Sequence, residues 1–240
     1  MRRRLVVGSL LACLGIFACS QIVGVEDVRL RGTGAKPTTT DTGDADTDGT
    51  DPDPVTPLPD GSTDGGSGCN GAVACVRRVF LTNATFTGKL GGLAGADAIC
   101  FTTAQTSPSL KGRIFRAWLS DATKTAGDPT RIPQGTQAYL RTDGLTFAQS
   151  YKDMTNGDVA RPLNVDEQGV SLTGAALELG AWTGTDYDGT YSSTSCNNWT
   201  SEASTDNGSA GDSQAMDTTW SDFSSATSCN SKRHLYCIEF

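Results

Sequence analysis

Eight cysteines, one histidine and two short acidic turns are the parts of this 240-residue chain whose residue types could do chemistry. The cysteines fall at 13, 19, 69, 75, 100, 196, 229 and 237. That density in a short chain points to an oxidising compartment and to structural disulfides. Six cysteines lie beyond Cys19, and spacing alone leaves fifteen pairings open among them. His234 ends the run Ser231-Lys232-Arg233-His234, just before an apolar stretch. A lone histidine could act as general base for a hydrolase. The sequence shows neither a nucleophile elbow nor a phosphate-cradling glycine loop, so a strand-start histidine is expected and no catalytic residue is assigned. Asp44-Ala45-Asp46-Thr47-Asp48-Gly49 repeats the first half of a calcium loop, but Val55 stands where the bidentate Glu belongs. The turn Asp186-Tyr187-Asp188-Gly189 is the remaining calcium candidate, with solvated turn carboxylates as the competing reading. No cofactor is expected, and calcium is the one ion left open.

The first elements concern location. Residues 1–18 join a basic start, Arg2 to Arg4, to thirteen apolar residues, Leu5 to Phe17. A bilayer core of about 30 Å needs roughly 20 apolar residues, so this is an export signal rather than a spanning helix. Its end, Ile16-Phe17-Ala18-Cys19, resembles the lipobox of bacterial lipoproteins, in which the cysteine is diacylated and becomes the new N-terminus. Leu10-Leu11-Ala12-Cys13 also fits, but cutting there would leave an odd set of seven cysteines. The resemblance implies a lipid anchor at Cys19, two acyl chains being enough for stable attachment. With Ser20 following, it implies the bacterial outer membrane. Residues 19–68 are rich in Thr, Asp, Gly and Pro and nearly devoid of large apolar side chains. Over 20–68 they carry 3 basic and 10 acidic residues. Such a segment cannot repay the entropy of ordering, so a disordered acidic linker is expected.

From residue 69 to 240 the composition becomes that of a folded domain holding all four tryptophans, with 13 basic and 17 acidic residues. The basic residues read as scattered, Arg77-Arg78 and Lys232-Arg233 being the only adjacent pairs, which excludes a nucleic-acid partner. Val79-Phe80-Leu81 predicts a first strand. Apolar residues at helical spacing predict a helix over 93–105. Ile114 to Leu119 predicts a buried strand, and Thr146-x-x-Gln149 a capping box opening a short helix through Met154. Later apolar pieces are Leu163 to Val165, Ala181 to Thr183, Cys196 to Trp199 and Leu235 to Phe240. Two helices early, then short strands between long loops, predict an α+β domain. Trp118 and Trp182 read as core. Trp199 and Trp220, in the loop-rich half, read as core or as exposed anchors. With Asn197 and Asn198 they are the candidate ligand-binding residues.

The runs Gly92-Leu93-Ala94-Gly95-Ala96-Asp97-Ala98-Ile99-Cys100 and Ile114-Phe115-Arg116-Ala117-Trp118-Leu119-Ser120 resemble endostatin, a domain with a C-type-lectin-like fold. Ala181-Trp182-Thr183-Gly184, Cys196-Asn197-Asn198-Trp199 and Leu235-Tyr236-Cys237-Ile238-Glu239 continue the likeness in order. The chain resembles uncharacterised bacterial lipoproteins carrying such a domain. The resemblance implies short, mostly antiparallel strands, long loops and the bridges Cys100–Cys237, Cys196–Cys229 and Cys69–Cys75. The superfamily's calcium-and-sugar triplets are absent, as are endostatin's N-terminal zinc histidines. The expected function is a non-catalytic, lipid-anchored module exposed at the cell surface, binding an extracellular protein or glycan through residues 184–228. A structural envelope lipoprotein is the alternative, and a hydrolase using His234 the remote one.

Overall fold

The computed structural model describes residues 76–175 and 178–240. Residues 1–18, Cys19, the linker 19–68 with its acidic loop, and the Cys69–Cys75 pair lie outside the described residues. The described part is a mixed α+β structure dominated by one sheet. Its strands are β1 (Arg77–Leu81), β2 (Phe115–Ala117), β3 (Tyr139–Arg141), β4 (Thr146–Ala148), β5 (Gly180–Trp182), β6 (Asn207–Asp212), β7 (Ser224–Ser228) and β8 (His234–Glu239). Helices α1 (Gly92–Ala104) and α2 (Tyr151–Met154), a single irregular turn, α3 (Cys196–Trp199), whose φ angles are positive, and a 3-10 turn, Thr218–Trp220, complete it. The strand order is β4-β3-β1-β8-β5-β6-β7, and β2 also pairs with β8. Five pairs are antiparallel; β1–β3 and β5–β8 are parallel.

The central strands are apolar on both faces, so strict side-chain alternation builds two cores rather than one. Phe80, Leu235, Cys237, Phe115 and Trp182 point to the side that holds α1. Val79, Leu81, Tyr236, Ile238 and Ala181 point to the other side, against Trp118, Trp220 and Phe147. A one-residue slip of β8 would exchange these sets, which fixes its register. Helix α1 buries Ala96, Cys100 and Ala104, one small residue per turn, and so lies close to the sheet. The Cys100–Cys237 disulfide joins it to β8 across a sequence separation of 137.

Several expectations need correction. Thr146 does not cap a helix, because Thr146–Ala148 pairs with β3. Four residues on, Ser150 does the capping: its side chain accepts from the Asp153 amide, and the Asp153 carboxylate takes the Gln149 amide at 2.8 Å. The buried strand expected over 114–119 is shorter, since Ile114 is exposed and β2 ends at Ala117. Leu163 to Val165 contributes a single bridge, Val165 to Ser171, and no strand. Strand β6 reads Asn-Gly-Ser-Ala-Gly-Asp and carries no strand signal, yet its small residues are what the neighbouring indoles require. A Cβ on Gly208 would stand 2.7 Å from Cys196 Sγ and 3.1–3.2 Å from the Trp182 and Trp199 rings.

Candidate functional site

The apolar piece Cys196-Asn197-Asn198-Trp199 folds as a left-handed turn. Its φ angles are 47°, 54°, 54° and 62°, and Ser193 just before it has φ 77°. An L-residue in this conformation costs about 1–2 kcal/mol in general, and an asparagine less. Asparagine tolerates it best, which accounts for the central Asn-Asn pair. The surroundings hold the turn at every point. Cys196 is bridged to Cys229. The Trp199 indole is fully buried, 5.7 Å from Trp182, and its Nε1 donates to Ser120 O at 2.7 Å. Leu90 and Gly91 amides both donate to Trp199 O. Ser195 Oγ accepts from the Asn198 amide at 3.3 Å, and Ala122 N donates to Asn198 Oδ1 at 3.2 Å.

The strained turn forms one side of an open groove of about 620 Å³. Segment 191–195 without Ser192, residues Asn197 and Asn198, and segment 205–207 line it. Its polar groups are hydroxyls from Tyr191, Ser193, Ser195 and Thr205 and carboxamides from Asn197, Asn198 and Asn207. Asp206 is the one charged lining residue, and neither Lys nor Arg is among them. Some groups are already engaged: Tyr191 Oη and Ser195 Oγ share a hydrogen bond at 3.0 Å, and Asn197 Nδ2 donates to Thr200 Oγ1 at 3.3 Å. Thr194 Oγ1 is turned to Ser225 O and Ser209 Oγ, bracing the rim against β6 and β7. The lining is mostly polar, made of neutral hydroxyls and carboxamides with Asp206 the one carboxylate. Backbone strain held in place by packing behind it is a feature shared with preorganised sites.

Of the candidate ligand residues, Asn197 and Asn198 are together in this groove. Trp199 and Trp220 are not exposed anchors, and that part of the expectation is corrected. Trp199 is the buried prop behind the turn, and Trp220 lies in the other core, 5.4 Å from Trp118 and 5.2 Å from Phe147. The remaining lining residues are polar loop positions whose sequence carries no signal beyond composition. Among the described residues no group of three or more His, Cys, Asp or Glu side chains is arranged to hold a metal ion. Asp186 and Asp188 shape their own turn: Asp186 Oδ1 accepts from Tyr187 N at 2.8 Å, and Asp188 Oδ1 from Thr190 N at 2.9 Å. Asp222, close enough to feel Asp186, has a carboxyl pushed upward by burial and then by that charge.

His234 opens β8 and is buried, with Nδ1 at 2.6 Å from Thr82 O. Burial, the main effect, lowers its pKa, so the neutral ring is the favoured form. No hydroxyl or thiol is hydrogen-bonded to it among the described residues, and it is not a lining residue of the groove.

A family model described as "Protein of unknown function (DUF1554)" matches residues 83–216, a span that includes the left-handed turn and the whole groove. No curated protein matches the chain.

Proposed function

From the premise that the chain belongs to the DUF1554 family, we propose that residues 69–240 are a non-catalytic binding module for a hydroxyl-rich neutral ligand, a glycan without sulfate or carboxylate. The observation that carries this reading is the groove itself: hydroxyls and carboxamides on a strained, packed turn, with no cation to attract an anionic sugar. A polyol offers alternating donors and acceptors, which is what Ser, Thr and Asn side chains complement. Fixing those side chains before binding lowers the ordering cost of association.

The two nested disulfides and the sheet between two cores support an endostatin-like, C-type-lectin-like assignment. The signal, the Cys19 lipobox and the acidic linker would tether the module to the outer membrane and hold it at the cell surface. Binding in this account needs no calcium, since lining carboxylates are limited to Asp206. Probing an array of neutral and acidic glycans with the unacylated chain, with and without a calcium chelator, tests it. Retention on neutral glycans, unchanged by the chelator, is expected. Silence across the array, or binding confined to sulfated glycans, would overturn it.

A further inference from the structure

The arginines that look scattered in sequence converge at one end of the sheet. Arg77 and Arg78 open β1, Arg113 and Arg116 flank the start of β2, and β8 ends among them at Glu239. Arg113 Nη1 donates to Glu239 Oε1 at 2.9 Å, Arg77 Nη1 to Glu239 O at 3.3 Å, and the Arg78 amide to Glu239 Oε2 at 2.7 Å. The Arg116 guanidinium lies 3.5 Å above the ring of Phe240. The Glu239 carboxylate pairs with the Arg113 guanidinium alone, while Arg116 donates to Thr130 O and Arg131 O. Four guanidinium groups thus gather here around one paired side-chain carboxylate, within a domain whose acidic residues outnumber its basic ones by 17 to 13. Burial, and secondarily the charge of Arg113, lowers the pKa of Arg78, which reflects the crowding.

Beside the cations stand two apolar side chains that packing leaves partly open. Ile114 is 46% exposed and Phe240 42%, and the Phe240 amide donates to Ile114 O at 2.9 Å. A polyanionic chain in water needs only the charge. Cations interleaved with an exposed aromatic and an exposed aliphatic residue match a surface that is anionic at its face and apolar just beneath.

We propose that this end of the sheet, Arg77, Arg78, Arg113 and Arg116 with Ile114 and Phe240, is a docking face for an anionic lipid surface. The guanidinium groups would meet the phosphates, and the two apolar side chains would enter the headgroup–acyl boundary. The face is separate in residues and in chemistry from the neutral groove, so either reading can fail without the other. It also needs no acyl chain, which makes it testable apart from any lipid anchor.

The test is cosedimentation of the full chain bearing Cys19→Ala, purified unacylated, with vesicles of phosphatidylcholine or of equimolar phosphatidylglycerol and phosphatidylcholine. Sedimentation with the phosphatidylglycerol vesicles alone, reversed by high salt, is expected. Arg78→Gln with Arg116→Gln should lower that partition roughly 30-fold, from the contribution of each cation near an anionic surface. Because Arg78 is half-buried, a second variant, Ile114→Ser with Phe240→Ser, alters the surface only and should also weaken binding. Equal sedimentation with both vesicle types, none with either, or indifference to both variants would overturn the proposal. So would complete displacement by glycerol phosphate, which would make this a small-anion site, or retention on heparin without vesicle binding.

Discussion

Asn197 offers a sharp test of the left-handed turn, because its backbone is strained while its side chain does little. It sits at φ 54°, ψ 56°, and its side chain is exposed. The contact it makes is an exposed hydrogen bond to Thr200 Oγ1 at 3.3 Å, worth a few tenths of a kcal/mol at most. Replacing it with Val therefore removes almost no interaction, yet forces a β-branched residue into a conformation that costs L-residues about 1–2 kcal/mol. For a domain of this size that corresponds to a fall of roughly 2–8 °C in Tm. Asn197→Gly is the internal control. It relieves the strain but widens the unfolded ensemble, and the two effects nearly cancel, leaving stability within about 0.5 kcal/mol of the parent. Thermal and urea unfolding of the oxidised protein would measure both variants. A Val variant as stable as the parent would refute the strained turn. A Gly variant as damaged as Val would show that the side chain, not the backbone, matters.

Other outcomes follow from the packing and the titrating groups. Loss of the Cys196–Cys229 bridge, separation 33, should cost about 4 kcal/mol, and loss of Cys100–Cys237, separation 137, about 5 kcal/mol. Against a usual total of about 5–15 kcal/mol, Cys100→Ser should fail to accumulate folded domain; parental protease resistance in that variant would contradict this. His234 has a folded pKa below its unfolded value of 6.5, so the stability it confers is present above that value and declines as pH falls through the folded pKa. Urea midpoints across this range should show the decline in the parent and a shallower one in His234→Gln, and parallel profiles would argue against it. Asp222 has the opposite sign: its pKa is raised, and its buried Oδ1 has no partner among the described residues. Asp222→Asn should therefore raise Tm at neutral pH and gain little in acid, where the parent carboxyl is protonated. A uniform loss would contradict that sign.

What could be read from sequence was what periodicity writes. Val79-Phe80-Leu81 and Leu235 to Ile238 are continuous apolar runs because both faces of the central strands are buried. Helix α1 was legible within one residue at each end from its apolar spacing. The capping box at Thr146 misled because Thr146–Ala148 is taken by pairing with β3, which leaves the cap to Ser150. Strand β6 was illegible because its small residues answer to the indoles opposite, a tertiary demand that no local pattern records. The tryptophans of the loop-rich half were ambiguous for the same reason. Nothing about Trp199 itself says that Ser120 O waits for its Nε1. In the groove, Asn197 and Asn198 were legible, whereas Tyr191, Ser193 and Thr205 to Asn207 resemble any polar loop until the fold brings them together. The arginine end reads as scattered charge in the sequence because its four arginines come from the starts of two strands 35 or more residues apart.

The ligand proposed for the groove beside the left-handed turn is neutral and hydroxyl-rich. Thr205 is exposed and lines the groove, so Thr205→Trp fills it without disturbing either core. The most direct measurement titrates the strongest neutral glycan from the array against the parent and this variant, with Tm recorded for both. Saturable, calcium-independent binding by the parent is expected, with at least a tenfold loss, about 1.4 kcal/mol, in a Thr205→Trp protein of unchanged Tm. Equal affinity in the two proteins, or no neutral glycan bound by the parent, would contradict it.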